Sequence, residues 1–240
     1  MYINYPLFVH KMDIVASLDI AKLREKYDTH GVVTFPLLTE SEAEKYRTII
    51  IDDVPKEDWQ FVVKTPIGQT KIPWSINNLH LINSAWNDCE QYISQPRIFA
   101  CRYYQIPEGY NWPRMSVISS IQKEEVLSRI KDIVPDITGI RDTVVMSLTS
   151  GCFINEHTDA GRGKAAFVYQ LSKDPINPQS PLWHPMYGGI LHFPYNDITV
   201  VPKFNTITIM KTGPKGIVHC VTPVANYIKG SRVSIAGILY

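Results

Sequence analysis

The sequence lacks the features that mark several large classes of protein. Its charges are nearly balanced, with 24 lysines and arginines against 23 aspartates and glutamates. It therefore has no basic excess of the kind that general nucleic-acid or membrane-surface binders carry. No apolar stretch approaches the ~20 residues that cross a bilayer as a helix, and no internal repeat or low-complexity tract is present. We expect the partner to be a small molecule or a peptide or protein side chain, with no nucleic acid and no membrane.

Cysteine is also scarce, and its spacing predicts neither a disulfide framework nor a zinc site. The four cysteines, Cys89, Cys101, Cys152 and Cys220, form no Cys-x-x-Cys pair. The first ten residues, MYINYPLFVH, lack the basic start and the apolar run of a secretory leader. These absences predict a cytoplasmic protein in a reducing compartment.

The first half of the sequence alternates helical and extended patterns. At 240 residues and 45% hydrophobic, the chain can bury one full core, and we predict one domain over residues 1–240. Thr39 and Glu42 form a T-x-x-E capping box that opens a helix reaching about residue 50. Further helices are predicted at residues 18–27, 84–94 and 123–134, strands at 32–36, 97–105 and 115–121, and irregular structure or short strands at 52–83.

The second half is rich in short runs of β-branched residues. They predict strands at residues 143–149, 152–158, 165–172, 188–193, 198–201, 206–210, 216–221 and 231–238. Eight short strands after a helical first half predict a mainly β fold with flanking helices, a double-stranded β-helix of the jelly-roll or cupin-like kind. In this arrangement a helical and mixed half, about 1–140, packs on a jelly-roll core, about 141–240.

Three residues in this half have the chemistry and spacing of a metal site. In an extended strand, side chains two apart share a face, so His157 and Asp159 can both point inward. His219 lies in a second apolar run, GIVHCV, which also predicts a strand. Two histidines and one carboxylate on one face of a metal leave the opposite face open, which is typical of Fe(II) oxygenases.

Arg232 and Ser234 repeat the same two-residue spacing on the strand that follows. A guanidinium and a hydroxyl side by side are suited to binding a carboxylate. A lone arginine on an edge strand is more often a surface cation. Here, however, Arg232 follows His219 by thirteen residues and alternates with Val233 and Ile235, which would pack on the other side. We therefore favour a buried carboxylate partner for Arg232.

The order of these motifs resembles the 2-oxoglutarate and Fe(II)-dependent dioxygenase superfamily. The resemblance covers roughly residues 143–240 and rests on TSGCFINEHTD, YGGILHF, VVPKFNTITIM, HCVTPV and RVSIAG. An isolated His-x-Asp is common by chance, whereas the whole series in this order is specific. Prolyl-hydroxylase-like enzymes are similar here, and HGVVTFPLLTESEAEKY resembles the opening of the phytanoyl-CoA-hydroxylase-like branch.

The resemblance implies an enzyme with Fe(II), 2-oxoglutarate and O2 as cofactor and cosubstrates. It implies hydroxylation of an unactivated C–H bond in an amino acid, a small metabolite or a protein side chain, with succinate and CO2 as co-products. Asp159 favours hydroxylation, because related halogenases carry Gly or Ala there. The catalytic metal ligands that the resemblance implies are His157, Asp159 and His219. The 2-oxoglutarate-binding residues that it implies are Arg232, Ser234 and Tyr103.

Two departures from that family pattern leave alternatives open. Many prolyl-hydroxylase-like relatives have a tyrosine on the strand before His-x-Asp that contacts 2-oxoglutarate, whereas Met146, Ser147 and Leu148 stand here. That contact is missing or is supplied by Tyr103 or Tyr104. Those relatives also commonly use lysine where Arg232 stands. The alternative functions are a nucleobase oxidative demethylase or hydroxylase, and a non-catalytic jelly-roll binding module that retains the metal site.

Overall fold

The computed structural model describes residues 17–54, 58–105, 124–214 and 216–240, with residues 53 and 101–105 described by their backbone alone. Its helices are α1 (Ile20–His30), α2 (Glu40–Thr48), α3 (Leu79–Glu90) and α4 (Glu124–Ile133). Its strands are β1 (Val32–Pro36), β2 (Gln60–Thr65), β3 (Gly68–Pro73), β4 (Phe99–Gln105), β5 (Ile140–Leu148), β6 (Phe153–His157), β7 (Ala165–Gln170), β8 (Leu191–Phe193), β9 (Ile198–Val200), β10 (Thr206–Lys211), β11 (His219–Val221) and β12 (Arg232–Leu239). Within these ranges no helix is both long and apolar enough to cross a membrane.

Short-range signals fix the first two helices. The Asp19 side chain accepts a hydrogen bond from the backbone N–H of Lys22 and so caps α1. This helix stops at Gly31, which has a φ of 71° and whose N–H bonds the last turn. The predicted cap of α2 is confirmed, since the Thr39 hydroxyl accepts from the N–H of Glu42. A single π-helical turn, Ile49–Asp53, then ends this helical segment.

The strands of the second half alternate between two layers. One layer has the order β10-β7-β12-β5, and the other has the order β6-β11-β8-β9. Successive strands along the chain pass from one layer to the other, except for the β8–β9 hairpin, and every pairing is antiparallel. This winding is the double-stranded β-helix that the sequence predicts, so the predicted fold class is confirmed.

Side-chain alternation along β7 separates the two faces of its layer. Phe167 and Tyr169 pack into a core shared with α1, α2 and α4. Ala166 and Val168 point the other way, into a core between the layers that also contains Trp183 from the loop before β8. The helices therefore cover the outer face of one layer, and its inner face is left to line the space between the layers.

The first half adds strands to the same sheet. β1 pairs with β10 at one edge, and β4 pairs with β5 and β6 and so links the two layers. β2 and β3 form a hairpin beside β4, and α3 packs on it through a small core that includes Phe61, Val63, Ile82 and Ile98. This hairpin lies where the sequence predicts irregular structure or short strands.

Three of the predicted boundaries need comment. The helix predicted at residues 84–94 instead spans Leu79–Glu90. The strand predicted at 188–193 starts only at Leu191, because Gly188 and Gly189 have φ values of 65° and 64°, outside the extended region. The strand predicted at 115–121 lies outside the described residues.

A buried asparagine ties the β1–α2 connection to the core. The Asn205 side chain bonds both the N–H and the carbonyl of Leu38, and its carbonyl oxygen also accepts from the Tyr169 hydroxyl at 2.8 Å. Asn205 itself has a φ of 61°, a left-handed conformation that asparagine tolerates better than most residues.

Candidate metal centre and carboxylate pocket

Pairing of β6 with β11 brings the three predicted ligands together. His157 and His219 are directly opposite in the register, with ring centroids 4.2 Å apart. Asp159 follows β6 by two residues, and its Oδ2 is 3.6 Å from His219 Nε2. One ligand atom from each of the three residues lies within 4.8 Å of the others. His157 and His219 are 62 residues apart in the sequence, and the pairing of β6 with β11 brings them together.

Both imidazoles are oriented by the backbone. Nδ1 of His157 lies 2.8 Å from the carbonyl of Asn155, and Nδ1 of His219 lies 2.9 Å from that of Ile217. Because a carbonyl can only accept, each Nδ1 carries the hydrogen, and Nε2 of the neutral ring keeps its lone pair free. This is the tautomer in which a histidine coordinates a metal through Nε2.

Burial keeps His219 neutral. The residue is only 5% exposed, and burial, followed by the nearby His157, lowers the pKa of His219 to about 4. At neutral pH its Nε2 therefore carries no proton that a metal ion would have to displace.

Arg162 holds the carboxylate of Asp159. One carboxylate oxygen, Oδ1, accepts from Arg162 Nη1 at 3.1 Å, while Oδ2 faces His219. The same guanidinium reaches Asp142 Oδ2 at 3.3 Å. Arg162 escaped the sequence analysis, because a three-residue spacing from Asp159 is not by itself informative.

Arg232 and Ser234 lie on the inner face of β12, while Val233 and Ile235 pack with the helices as the sequence predicts. Arg232 is 0% exposed, and none of its three guanidinium nitrogens has a hydrogen-bond partner among the described residues. Burial lowers the pKa of Arg232 to about 10, so the group stays charged at neutral pH. The Ser234 hydroxyl is likewise buried without a described partner. A buried charge without a partner is costly, so this pair fits an anionic ligand.

Gln170 is a further polar residue of this pocket, and the sequence analysis missed it. It lies opposite Ser234 in the β7–β12 register, and paired residues share a face of the sheet. It is 0% exposed, and within the described part of the chain both its amide nitrogen and its amide oxygen lack partners. A glutamine within a strand run, AFVYQLS, gives no sequence signal for this role.

One cavity connects the two groups. It has a volume of about 1170 Å³, and its lining includes His157, Asp159, His219 and Arg232. Gly189 passes close to the arginine, so that a Cβ there would lie 3.0 Å from Arg232 Cδ. The ligand cluster and the buried cation can therefore act on one bound molecule.

Tyr103 is the one predicted site residue that the structure describes by its backbone alone. Its backbone lies in β4, opposite Gln60 on one side and Met146 on the other. The side chains of Tyr103 and Tyr104 lie outside the described residues. The predicted contact of Tyr103 with 2-oxoglutarate stays a prediction.

No protein-family model and no curated protein matches the sequence, but solved structures share its fold. A prolyl hydroxylase from Trichoplax adhaerens, in complex with a peptide fragment of the hypoxia inducible factor oxygen degradation domain, is 15% identical with a TM-score of 0.58, over 92% of this chain and 88% of that one. A Burkholderia pseudomallei oxidoreductase of the 2OG-Fe(II) oxygenase family is 13% identical with a TM-score of 0.57, over 96% and 95%. A Pseudomonas putida prolyl-4-hydroxylase is 14% identical with a TM-score of 0.53, over 92% and 97%. The chain therefore has the fold of these oxygenases.

Proposed function

We propose that the protein is a 2-oxoglutarate- and Fe(II)-dependent dioxygenase that hydroxylates a C–H bond of an amino acid, a small metabolite or a protein side chain. The observation that carries this proposal is the buried Arg232, whose charge has no described partner, in the cavity that also holds the three-ligand cluster. A structural metal site or a simple binding module would gain nothing from an uncompensated cation at this depth.

The donor set supports a divalent metal with open coordination positions. His157 and His219 offer Nε2 and Asp159 offers a carboxylate oxygen, a combination that suits non-haem Fe(II). Hydrogen bonds from both Nδ1 atoms to backbone carbonyls, and from Arg162 to Asp159, hold the donors in place before a metal arrives. Binding of the ion therefore requires little rearrangement of these side chains.

The pocket chemistry supports 2-oxoglutarate as the cosubstrate. Its carboxylate remote from the metal would meet the Arg232 guanidinium and the Ser234 hydroxyl, with Gln170 as an amide donor beside them. Burial excludes water from this contact, which strengthens the ion pair and leaves the other end of the ligand facing the metal ligands. With both bound, Fe(II), 2-oxoglutarate and O2 supply the oxidation of an unactivated C–H bond, with succinate and CO2 as co-products.

The same proposal assigns residues 1–240 to one dioxygenase domain. It is supported by β1 and β4, which come from the first half of the chain and pair with β10, β5 and β6 of the second half. A protein side chain is included among the substrates because one solved structure of the same fold is a prolyl hydroxylase bound to a peptide fragment.

The test is an anaerobic titration of the purified protein with Fe(II) and then 2-oxoglutarate. We expect a weak visible charge-transfer band that needs both additions and is lost in His219→Ala. His192→Ala is the matched control, because His192 lies opposite Cys220 on the neighbouring strand β8 and bonds Thr199 instead of facing the cluster. A folded, metal-loaded wild type without the band, or a band that survives in His219→Ala, contradicts the proposal.

A further inference from the structure

The cavity lining carries a strong excess of positive charge. Among its described residues, two are acidic, Asp142 and Asp159, and six are basic: Lys64, Lys71, Arg97, Arg141, Arg162 and Arg232. The whole chain has a net charge of only +1. The basic residues are therefore concentrated where a ligand would bind, and a cavity lined by one sign of charge attracts ligands of the opposite sign.

Several of these cations already have a structural role. Arg162 is shared between Asp142 and Asp159. Arg141 donates to the carbonyl of Arg162 and lies over the Tyr240 ring, 5.5 Å from its centroid. Arg232 serves the cosubstrate in the proposed function. Lys71 has an interaction of its own. Lys64 and Arg97 remain, and neither has an ion pair with any side chain that the structure describes.

Alternation along β2 directs Lys64 into the cavity. Phe61 and Val63 pack into the core beneath α3, so Val62 and Lys64 occupy the opposite face, which lines the cavity. Lys64 lies opposite Phe99 of β4, another lining residue. The lysine therefore lines the same cavity as the proposed metal ligands, from the side of the hairpin.

Arg97 lies two residues before β4 and lines the same cavity. Its backbone N–H donates to the carbonyl of Glu156, the residue before the proposed ligand His157. Arg97 has a φ of 64°, a left-handed conformation that costs an L-residue of this kind about 1 kcal/mol or more. Such backbone strain concentrates at functional sites, where the side chain must be aimed in a direction that a relaxed backbone does not allow.

We propose that the substrate hydroxylated at this site is a small molecule with a carboxylate or phosphate group, and that Lys64 and Arg97 bind that group. This inference rests on the proposed function and narrows its substrate class. The cations lie in the cavity and not along an extended surface stripe, and the chain as a whole is nearly neutral, which favours a small acid over a nucleic acid. The anionic group would lie between the β2–β3 hairpin and the segment just before β4, and the reacting carbon would point toward the metal ligands.

The first test uses inorganic phosphate as the probe. The protein is loaded anaerobically with Fe(II) and saturating 2-oxoglutarate, which occupies Arg232, and phosphate is titrated by calorimetry. We expect Lys64→Gln and Arg97→Asn each to weaken phosphate binding about tenfold or more, since each removes a charge-assisted hydrogen bond. Asparagine tolerates the backbone of Arg97, so the variant should fold. Lys26→Ala, on exposed α1, removes the same charge away from the cavity and should change nothing.

The second test is a panel of small carboxylates and phosphomonoesters, each with its neutral amide or ester, scored by 2-oxoglutarate-dependent succinate formation. We expect the acids alone to stimulate turnover, with KM raised about tenfold in Lys64→Gln and the visible band of the 2-oxoglutarate complex unchanged. Equal phosphate binding in all variants would mean that phosphate binds the metal instead, and it overturns the inference. Stimulation of turnover by neutral compounds or by an oligonucleotide overturns it as well. If no compound of the panel stimulates turnover, the phosphate titration alone decides whether the inference holds. Loss of the band in wild type would instead overturn the proposed function.

Discussion

Replacing Arg232 by methionine should stabilise the unliganded protein while destroying the proposed cosubstrate site. The guanidinium is 0% exposed and has no described hydrogen-bond partner. Exchanging buried ionic groups for apolar side chains of similar volume is often neutral or stabilising by about 1–4 kcal/mol. Taking about 2 kcal/mol for Arg232→Met, the melting temperature of a chain of this length should rise by about 4–8 °C.

The same substitution should remove most or all of the stabilisation that 2-oxoglutarate gives. At a ligand concentration one hundred times its Kd, the wild type gains about 2.7 kcal/mol. Losing a buried charge-assisted contact costs about 2–5 kcal/mol of binding, or roughly 30-fold to several thousand-fold in Kd. At that concentration the variant should therefore gain at most about 0.9 kcal/mol, and the two melting temperatures should become nearly equal or the variant's should stay above that of the wild type.

The assay is thermal unfolding of both proteins with metal, with and without 2-oxoglutarate. Arg24→Met on α1 is the control, because Arg24 is exposed and its pairing with Asp28, at 3.9 Å, is weak. That control should stay within about 0.5 kcal/mol of the wild type and keep the ligand response. An unliganded Arg232→Met protein that melts below the wild type would refute the reasoning, since it would mean that the guanidinium is already satisfied within the protein.

Three further substitutions test other parts of the site and the fold. Asp159→Ala should abolish succinate formation while leaving the melting temperature of the metal-free protein nearly unchanged, because this half-buried side chain lies beyond the end of β6. Gly189→Ala should cost more than the about 1–2 kcal/mol of its positive φ alone, and it should weaken 2-oxoglutarate binding by displacing Arg232. Gly161→Ala, at a similar positive φ with open space around it, should bear only that backbone cost and leave the affinity unchanged. Asn205→Ala should lower the free energy of unfolding by about 3 kcal/mol, measured in urea, because it leaves three buried partner groups unsatisfied.

Much of the second half could be predicted because its information is local. Most strands there lie in short runs rich in β-branched residues, and the proposed ligand residues lie within or directly after those runs. The spacing of His157 and Asp159 and that of Arg232 and Ser234 each predict a shared face, and the structure places His157, Asp159 and Arg232 at one cavity, with Ser234 buried beside Arg232 on β12.

The features that escaped prediction depend on contacts distant in sequence. The β2–β3 hairpin is stabilised by pairing with β4 and by α3, so its own sequence, interrupted by Pro66 and Gly68, underestimates it. Gln170 gains its role only from its register with Ser234, which is 64 residues away. Sequence patterns identify the face of a strand, but they do not identify which strand will lie beside it.

The direct pairing of His157 with His219 makes metal binding at the proposed centre depend on correct pairing of β6 with β11. Of the three proposed ligands, an unfolded chain keeps only His157 and Asp159 close together, because His219 joins them when β11 pairs with β6. A metal ion held by all three would act as a crosslink that closes a loop of 62 residues, and its binding energy would add to the stability of the paired layers. Amide hydrogens of β6 and β11 should then exchange with solvent more slowly in the metal-loaded protein. The exchange rate of these amides would therefore report both on metal occupancy and on the pairing of the two strands.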